Sequence, residues 1–216
     1  MSATSYQLVL PAPWERIRLD GSIRTRVREI VERSVARLPG DLPPDQVAPA
    51  RRRVEEELNQ LLVEARNNGG IDYYLPTELM HGQQLNASFV VSAVIPDATA
   101  EADLVPRVMA SLLQAEDTAA VTVGDTTWTR RERVLRRPPG GLVGDQVDLR
   151  KVEYLTAVPD DARRWVLVTF TTAGDGDVDS EATALIVELF DAIMSTWRWG
   201  ADPAGGSPAA GSAAEA

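Results

Sequence analysis

Cysteine is absent from this 216-residue sequence, and histidine and lysine occur once each, at His81 and Lys151. Without a thiol there is no disulfide, no thiolate nucleophile, no iron–sulfur cluster and no cysteine zinc site. A lone histidine excludes any site that needs two, HExxH among them. The same lack suits a reducing compartment, and a cytoplasmic location is expected. Long apolar runs are missing as well. The longest, such as Trp165 to Val168, are strand-sized, whereas a membrane span needs about 20 residues. Met1 to Pro11 lacks a basic stretch followed by an apolar one, so no signal peptide and no membrane partner are expected. Phosphate-cradling and nucleophile-elbow patterns (GxxxxGK[ST], GxGxxG, GxSxG) do not occur either. No catalytic residue, metal site or cofactor is therefore assigned, and the chain is expected not to be an enzyme.

What is present reads as one domain over residues 1–199. At this length a chain buries enough surface to hold a core unaided. Tyr6, Leu8 and Leu10 share one parity, as in a strand. From Ile23 the period becomes helical through Val27, Ile30, Val31, Val35 and Leu38, and Pro39-Gly40 ends it. A second helix starts near Pro43-Pro44-Asp45. It carries the stripe Val47, Val54, Leu58, Leu61, Leu62 and Ala65, and three Arg–Glu pairs at i,i+4 over residues 51–57. Asn67-Asn68-Gly69-Gly70 stops it. Residues 22–67 thus read as an αα-hairpin appendage. Strands are expected within 71–96, then a third helix over about 103–112. A hairpin follows over 119–123 and 127–137, turning at Gly124-Asp125. Two further strands lie at 147–158 and 165–172. The last is apolar on both parities, as in a central strand covered from both sides. Leu185, Ile186, Leu189, Phe190, Ile193, Met194 and Trp197 mark a final helix. Residues 200–216, all glycine, alanine, serine, proline and acid, form a tail expected to be disordered. The fold class expected is α+β, an antiparallel sheet with helices on both faces.

Charge is abundant but uneven. The chain carries a formal −10, yet residues 126–151 hold seven basic and three acidic side chains, a local +4. The run Arg130, Arg131, Arg133, Arg136 and Arg137, beside Trp128, is the candidate partner-binding surface. Arginine forks suit carboxylate or phosphate, and an indole stacks on a base. The alternative is a sheet edge protected by charge. An acidic protein is the partner preferred over nucleic acid, because the total charge repels the latter. Asp175, Asp177 and Asp179 open like a calcium loop, but Ser180 and Ile186 stand where an EF-hand needs glycine and glutamate. The acids are expected instead at the positive end of the last helix. Lys151 is expected to pair with Glu153, and His81 to lie on a loop.

The segments Val152 to Pro159, Trp165 to Thr172 and Leu189 to Trp197 resemble the PsbP-like α/β/α sandwich. Gly69 to Pro76 resembles a segment of a group of uncharacterised actinobacterial proteins. The resemblance implies a binding or assembly subunit, by analogy an accessory of a bacterial secretion or surface system. The reading reached is a non-enzymatic protein-binding or adaptor module, with a contiguous apolar or arginine-rimmed patch on the helices or the sheet edge. The alternative is a ligand-binding protein or carboxylate enzyme with a cleft between the sheet and residues 22–67.

Overall fold

The computed structural model describes residues 5–12, 14–37, 44–80, 82–94, 117–136, 147–159 and 161–200. In chain order these form β1 (Ser5–Gln7), β2 (Trp14–Arg18), α1 (Ile23–Val35), α2 (Pro44–Asn67), β3 (Gly70–Pro76), β4 (Ala87–Val94), β5 (Thr118–Val123), β6 (Thr126–Leu135), β7 (Leu149–Val158), β8 (Asp161–Thr172), α3 (Glu181–Ser195) and β9 (Arg198–Gly200). Seven strands make one antiparallel sheet in the order β2-β3-β4-β8-β7-β6-β5, and β1 and β9 make a separate pair.

The period-2 alternation places the core. On β7, Val152, Tyr154, Thr156 and Val158 are buried while their neighbours are only half-buried. Their partners in register, Phe170, Val168 and Val166 of β8, continue the same face to Phe89 and Val91 of β4. Onto this face packs α3 with Val187, Phe190, Ile193 and Met194. The helix starts where Ser180 accepts a hydrogen bond from the Thr183 N–H at 3.1 Å. Just before it, Gly174 has φ +57°, and a Cβ there would overlap the Thr183 side chain, so only glycine fits this turn. Trp197 follows the helix and is fully buried, and β9 then pairs with β1, clasping the two ends of the described fold.

The expected α/β/α sandwich with an αα-hairpin appendage is not what forms. The seven-stranded antiparallel sheet dominates, and the helices do not make matching layers. Among the described residues α3 is the one helix on the first face, with Tyr6 of β1 and Trp199 of β9 packed beside it. On the other, α1 and α2 sit only at the β2–β4 end. Nor are residues 22–67 an appendage. Ile23, Val27, Ile30 and Val31 of α1 are buried with Ile17, Leu19, Leu62 and Tyr73, as a second core cluster. The helical period was legible, but a stripe that zips two helices together and one that seats a helix on a sheet look the same in sequence. Strand territory 71–96 resolves into β3 and β4, and Gly200, placed in the tail, belongs to β9. The third helix expected over 103–112, His81, Arg137 and residues 201–216 lie outside the described residues. No described helix is long and apolar enough to cross a membrane.

Candidate functional site

The candidate residues in and beside β6 alternate between the two faces of the sheet; Trp128 is core, and each described arginine has an acidic partner, with Arg136 still 63% exposed. Trp128 is 0% exposed. It packs edge-on against Tyr154 and Trp197 and stacks on Trp199. Its assignment as a partner anchor is therefore corrected: an inward position next to a buried β7 made it core. On the same face the Arg130 guanidinium donates to Asp191 at 3.0 and 2.9 Å and to Glu132 at 2.7 Å. Arg150 of β7 grips the other Glu132 oxygen at 2.5 Å. Burial opposes ionisation of Glu132, but the hydrogen bonds from Arg130 and Arg150 outweigh it and hold the carboxyl below its usual range. Burial also works against the Arg130 charge, and Asp191 and Glu132 more than compensate. Across the sheet Arg131 donates to Asp117 at 2.8 Å, holding that carboxyl low. Arg133 lies 3.3 Å from Glu153, which also takes Lys151 at 2.6 Å as expected. Arg136 bridges Asp148 and Asp179 at 3.0 and 2.8 Å. The +4 counted along the sequence is thus met by four acids from outside that stretch: Asp117 before β5, Glu153 of β7, Asp179 of the turn before α3 and Asp191 of α3. That acidic turn in turn serves local structure. Asp175 accepts from the Ser180 hydroxyl at 2.8 Å, which keeps its carboxyl low, and Asp177 accepts from the Asp179 N–H. Among the described residues no cluster of three or more acids or histidines stands ready for a metal ion.

A second polar group escaped notice in the sequence. Asp72 of β3 is 3% exposed. It accepts both prongs of Arg16 from β2 at 2.7 Å and the Tyr6 hydroxyl from β1 at 2.5 Å. Tyr6 donates to Asp72, so Tyr74, 2.8 Å away, donates to Tyr6. The Arg16 cation also lies 5.5 Å above the Tyr6 ring, whose other neighbour is the stacked Trp197. Burial first, then the charges of Tyr74 and Asp72, push the Tyr6 hydroxyl far above its ordinary range, and burial pushes Tyr74 up to about 12. The Asp72 carboxylate and the Tyr6 hydroxyl are paired within the group, and the cluster fastens β1 to β2 and β3.

Among the described residues a shallow polar hollow of about 620 Å³ lies over Thr118, Arg130, Glu132 and Arg150, and a mostly apolar groove lies where α1, α2 and the end of β3 meet. The groove's volume is about 970 Å³. The walls are Ile30, Val31 and Val35 of α1, Val47, Val54 and Leu58 of α2, and Leu75, Pro76 and Leu79 after them. Val54 is 50% and Leu79 59% exposed, both large apolar side chains facing water. The rim is charged but closed on itself: Arg37 meets Glu78 at 2.7 Å, and Arg51 meets Glu55 at 2.9 Å and Glu32 at 3.4 Å. It lies where a cleft was expected, beside residues 22–67, but its walls are apolar. The sequence did carry a signal for it. Of the α2 stripe only Leu62 is fully buried, so the stripe holds more apolar surface than the fold consumes.

Comparison of the chain with protein-family models, with curated proteins and with solved structures found no match in any of the three.

Proposed function

We propose that this protein is a non-enzymatic, cytoplasmic protein-binding module that receives an apolar segment of its partner in the α1–α2–β3 groove. The observation carrying this is the groove itself, about 970 Å³ with Val54 and Leu79 at its mouth. Contiguous exposed apolar surface with a polar rim is the common mark of a protein-interaction site. Val47 to Leu58 covers about 16 Å of helix axis at 1.5 Å per residue, room for roughly three turns of an amphipathic helix laid alongside. The closed rim pairs favour an apolar contact over recognition of a charged ligand. The apolar walls likewise favour binding over acid–base chemistry, which needs titratable groups facing the bound molecule. The cysteine-free composition suits the reducing cytoplasm.

The test is site-specific photo-crosslinking in cells of the source organism. A photoreactive residue at Val54 or at Leu79 is expected to capture one and the same protein, whereas the same residue at exposed Arg163 captures none. Equal capture from all three positions, or none from the groove, would remove the reading.

A further inference from the structure

The two edges of the main sheet differ in a way the groove does not explain. β2 is guarded. Its five residues include Glu15, Arg16 and Arg18, and Pro11 and Pro13 precede it. Charges and prolines are how natural sheets keep an edge from pairing with another chain. β5, at the other edge, reads Thr-Ala-Ala-Val-Thr-Val, with no charge, no proline and no register shift against β6.

The hairpin turn shows which main-chain groups of β5 face outward. Val123 pairs with Thr126 across Gly124-Asp125, and a two-residue turn makes its flanking residues a hydrogen-bonded pair. Along β5 the pairing then alternates. Val123, Val121 and Ala119 bond to β6, while Thr122, Ala120 and Thr118 point their N–H and C=O groups away from it. The Glu132 N–H donating to the Asp117 carbonyl at 3.1 Å continues the inward set. Among the described residues no strand lies beyond β5, and Ala120 and Thr122 are exposed.

We infer that the β5 edge pairs with β5 of a second copy of this chain, antiparallel about a two-fold axis at Ala120. The outward set is symmetric about that residue. Thr118 of one copy then faces Thr122 of the other, and Ala120 faces itself, so every outward donor meets an outward acceptor. Threonines opposite one another are a favourable cross-strand pair, and the alanine methyls leave the axis uncrowded. No charge falls within the paired segment, so neither copy buries an ion. A neutral edge also offers a charged peptide nothing to grip, and the arginines of β6 are already paired. A stable dimer buries roughly 1,200–2,000 Å², more than a six-residue strand pair of small side chains supplies. The association is therefore weak and concentration-dependent. Each copy carries −10, so salt, by screening that repulsion, strengthens it.

Sedimentation velocity and residue-resolved amide exchange over a concentration series test this on the full chain. The expected result is a monomer–dimer equilibrium. The amides of Thr118, Ala120 and Thr122 gain about tenfold protection with concentration, while those of Ala119 and Val121 are protected throughout. Ala120→Pro removes an outward N–H without touching a β5–β6 bond and is expected to stay monomeric. Ala120→Lys, which keeps the native backbone, sets like charges face to face on the axis and is also expected to stay monomeric. Mixing it with Ala120→Glu is expected to restore a heterodimer, a rescue open only to a self-facing position. The inference is overturned by a monomer at every concentration, or by variants that associate like the parent chain. It is equally overturned if the three amides are protected only when acetyl-Thr-Val-Thr-Val-Thr-amide binds the monomer, which would give the edge to a foreign strand.

Discussion

The arginine strand β6 and the groove between α1, α2 and β3 make opposite cases. β6 is conspicuous in the sequence and closed in the structure: Arg130, Arg131, Arg133 and Arg136 each have an acidic partner, and Trp128 is core. The groove is inconspicuous in the sequence and open in the structure, with Val54 and Leu79 half or more exposed. A charge found along the chain is not yet a charge at the surface, because acids distant in sequence fold onto it. Apolar surface has no such partner to neutralise it. It is either covered or left exposed, and here part of it is left.

The strongest way to break this comparison is to treat Trp128 as a binding residue. Trp128→Ala is expected to cost about 3–5 kcal/mol of folding stability, as for a large aromatic removed from a packed core. Trp128→Phe is expected to cost far less, since it keeps most of the ring and drops an indole N–H that is buried without a partner. Denaturant titration distinguishes them. A stable Trp128→Ala protein would return Trp128 to the surface. Next in size is Asp72→Ala, which leaves the Arg16 fork without its carboxylate and the Tyr6 hydroxyl with Tyr74 alone. The loss should lie near the lower end of the roughly 3–5 kcal/mol seen for broken buried pairs, because the Arg16 side chain keeps 41% exposure.

The tyrosines sharpen the same contrast through pH. All four, Tyr6, Tyr73, Tyr74 and Tyr154, have hydroxyls raised above the ordinary value of 10.0 with burial as the largest cause. The unfolded chain releases these protons near pH 10 and the folded chain keeps them. Stability is therefore full below pH 10 and falls above it, by about 1.4 kcal/mol per pH unit for each tyrosine still protonated. Absorbance at the tyrosinate band should rise at higher pH than for free tyrosine. An early rise would place these rings at the surface. Smallest of all, Arg131→Ala and Arg136→Ala are expected to change stability little, and less still in high salt. Thermal melts at two ionic strengths check this.

The sequence was informative wherever a local period decides the matter. The run apolar on both parities over 165–172 placed β8 in the middle of the sheet, the Gly124-Asp125 turn placed the β5–β6 hairpin, and the stripe from Leu185 to Met194 placed α3. It was silent wherever the answer depends on which elements meet. The stripe from Ile23 to Val31 does not say whether it faces a helix or a sheet, and here it faces both α2 and Tyr73 of the sheet. Arg130 gives no hint of Asp191, 61 residues away on α3. Asp72 between apolar neighbours was the one local clue to the Tyr6–Arg16–Tyr74 cluster, because a carboxylate on a buried strand needs a cation. The groove had only the surplus width of the α2 stripe to announce it.

The most direct test sets the two regions against each other on one captured partner. Val54→Glu combined with Leu79→Glu, both at exposed positions, is expected to leave the melting temperature nearly unchanged and to abolish co-purification of the protein crosslinked through Val54. Arg131→Ala combined with Arg136→Ala is expected to retain that partner in full. Retention by the groove variant together with loss by the arginine variant would contradict the account and return the binding surface to β6.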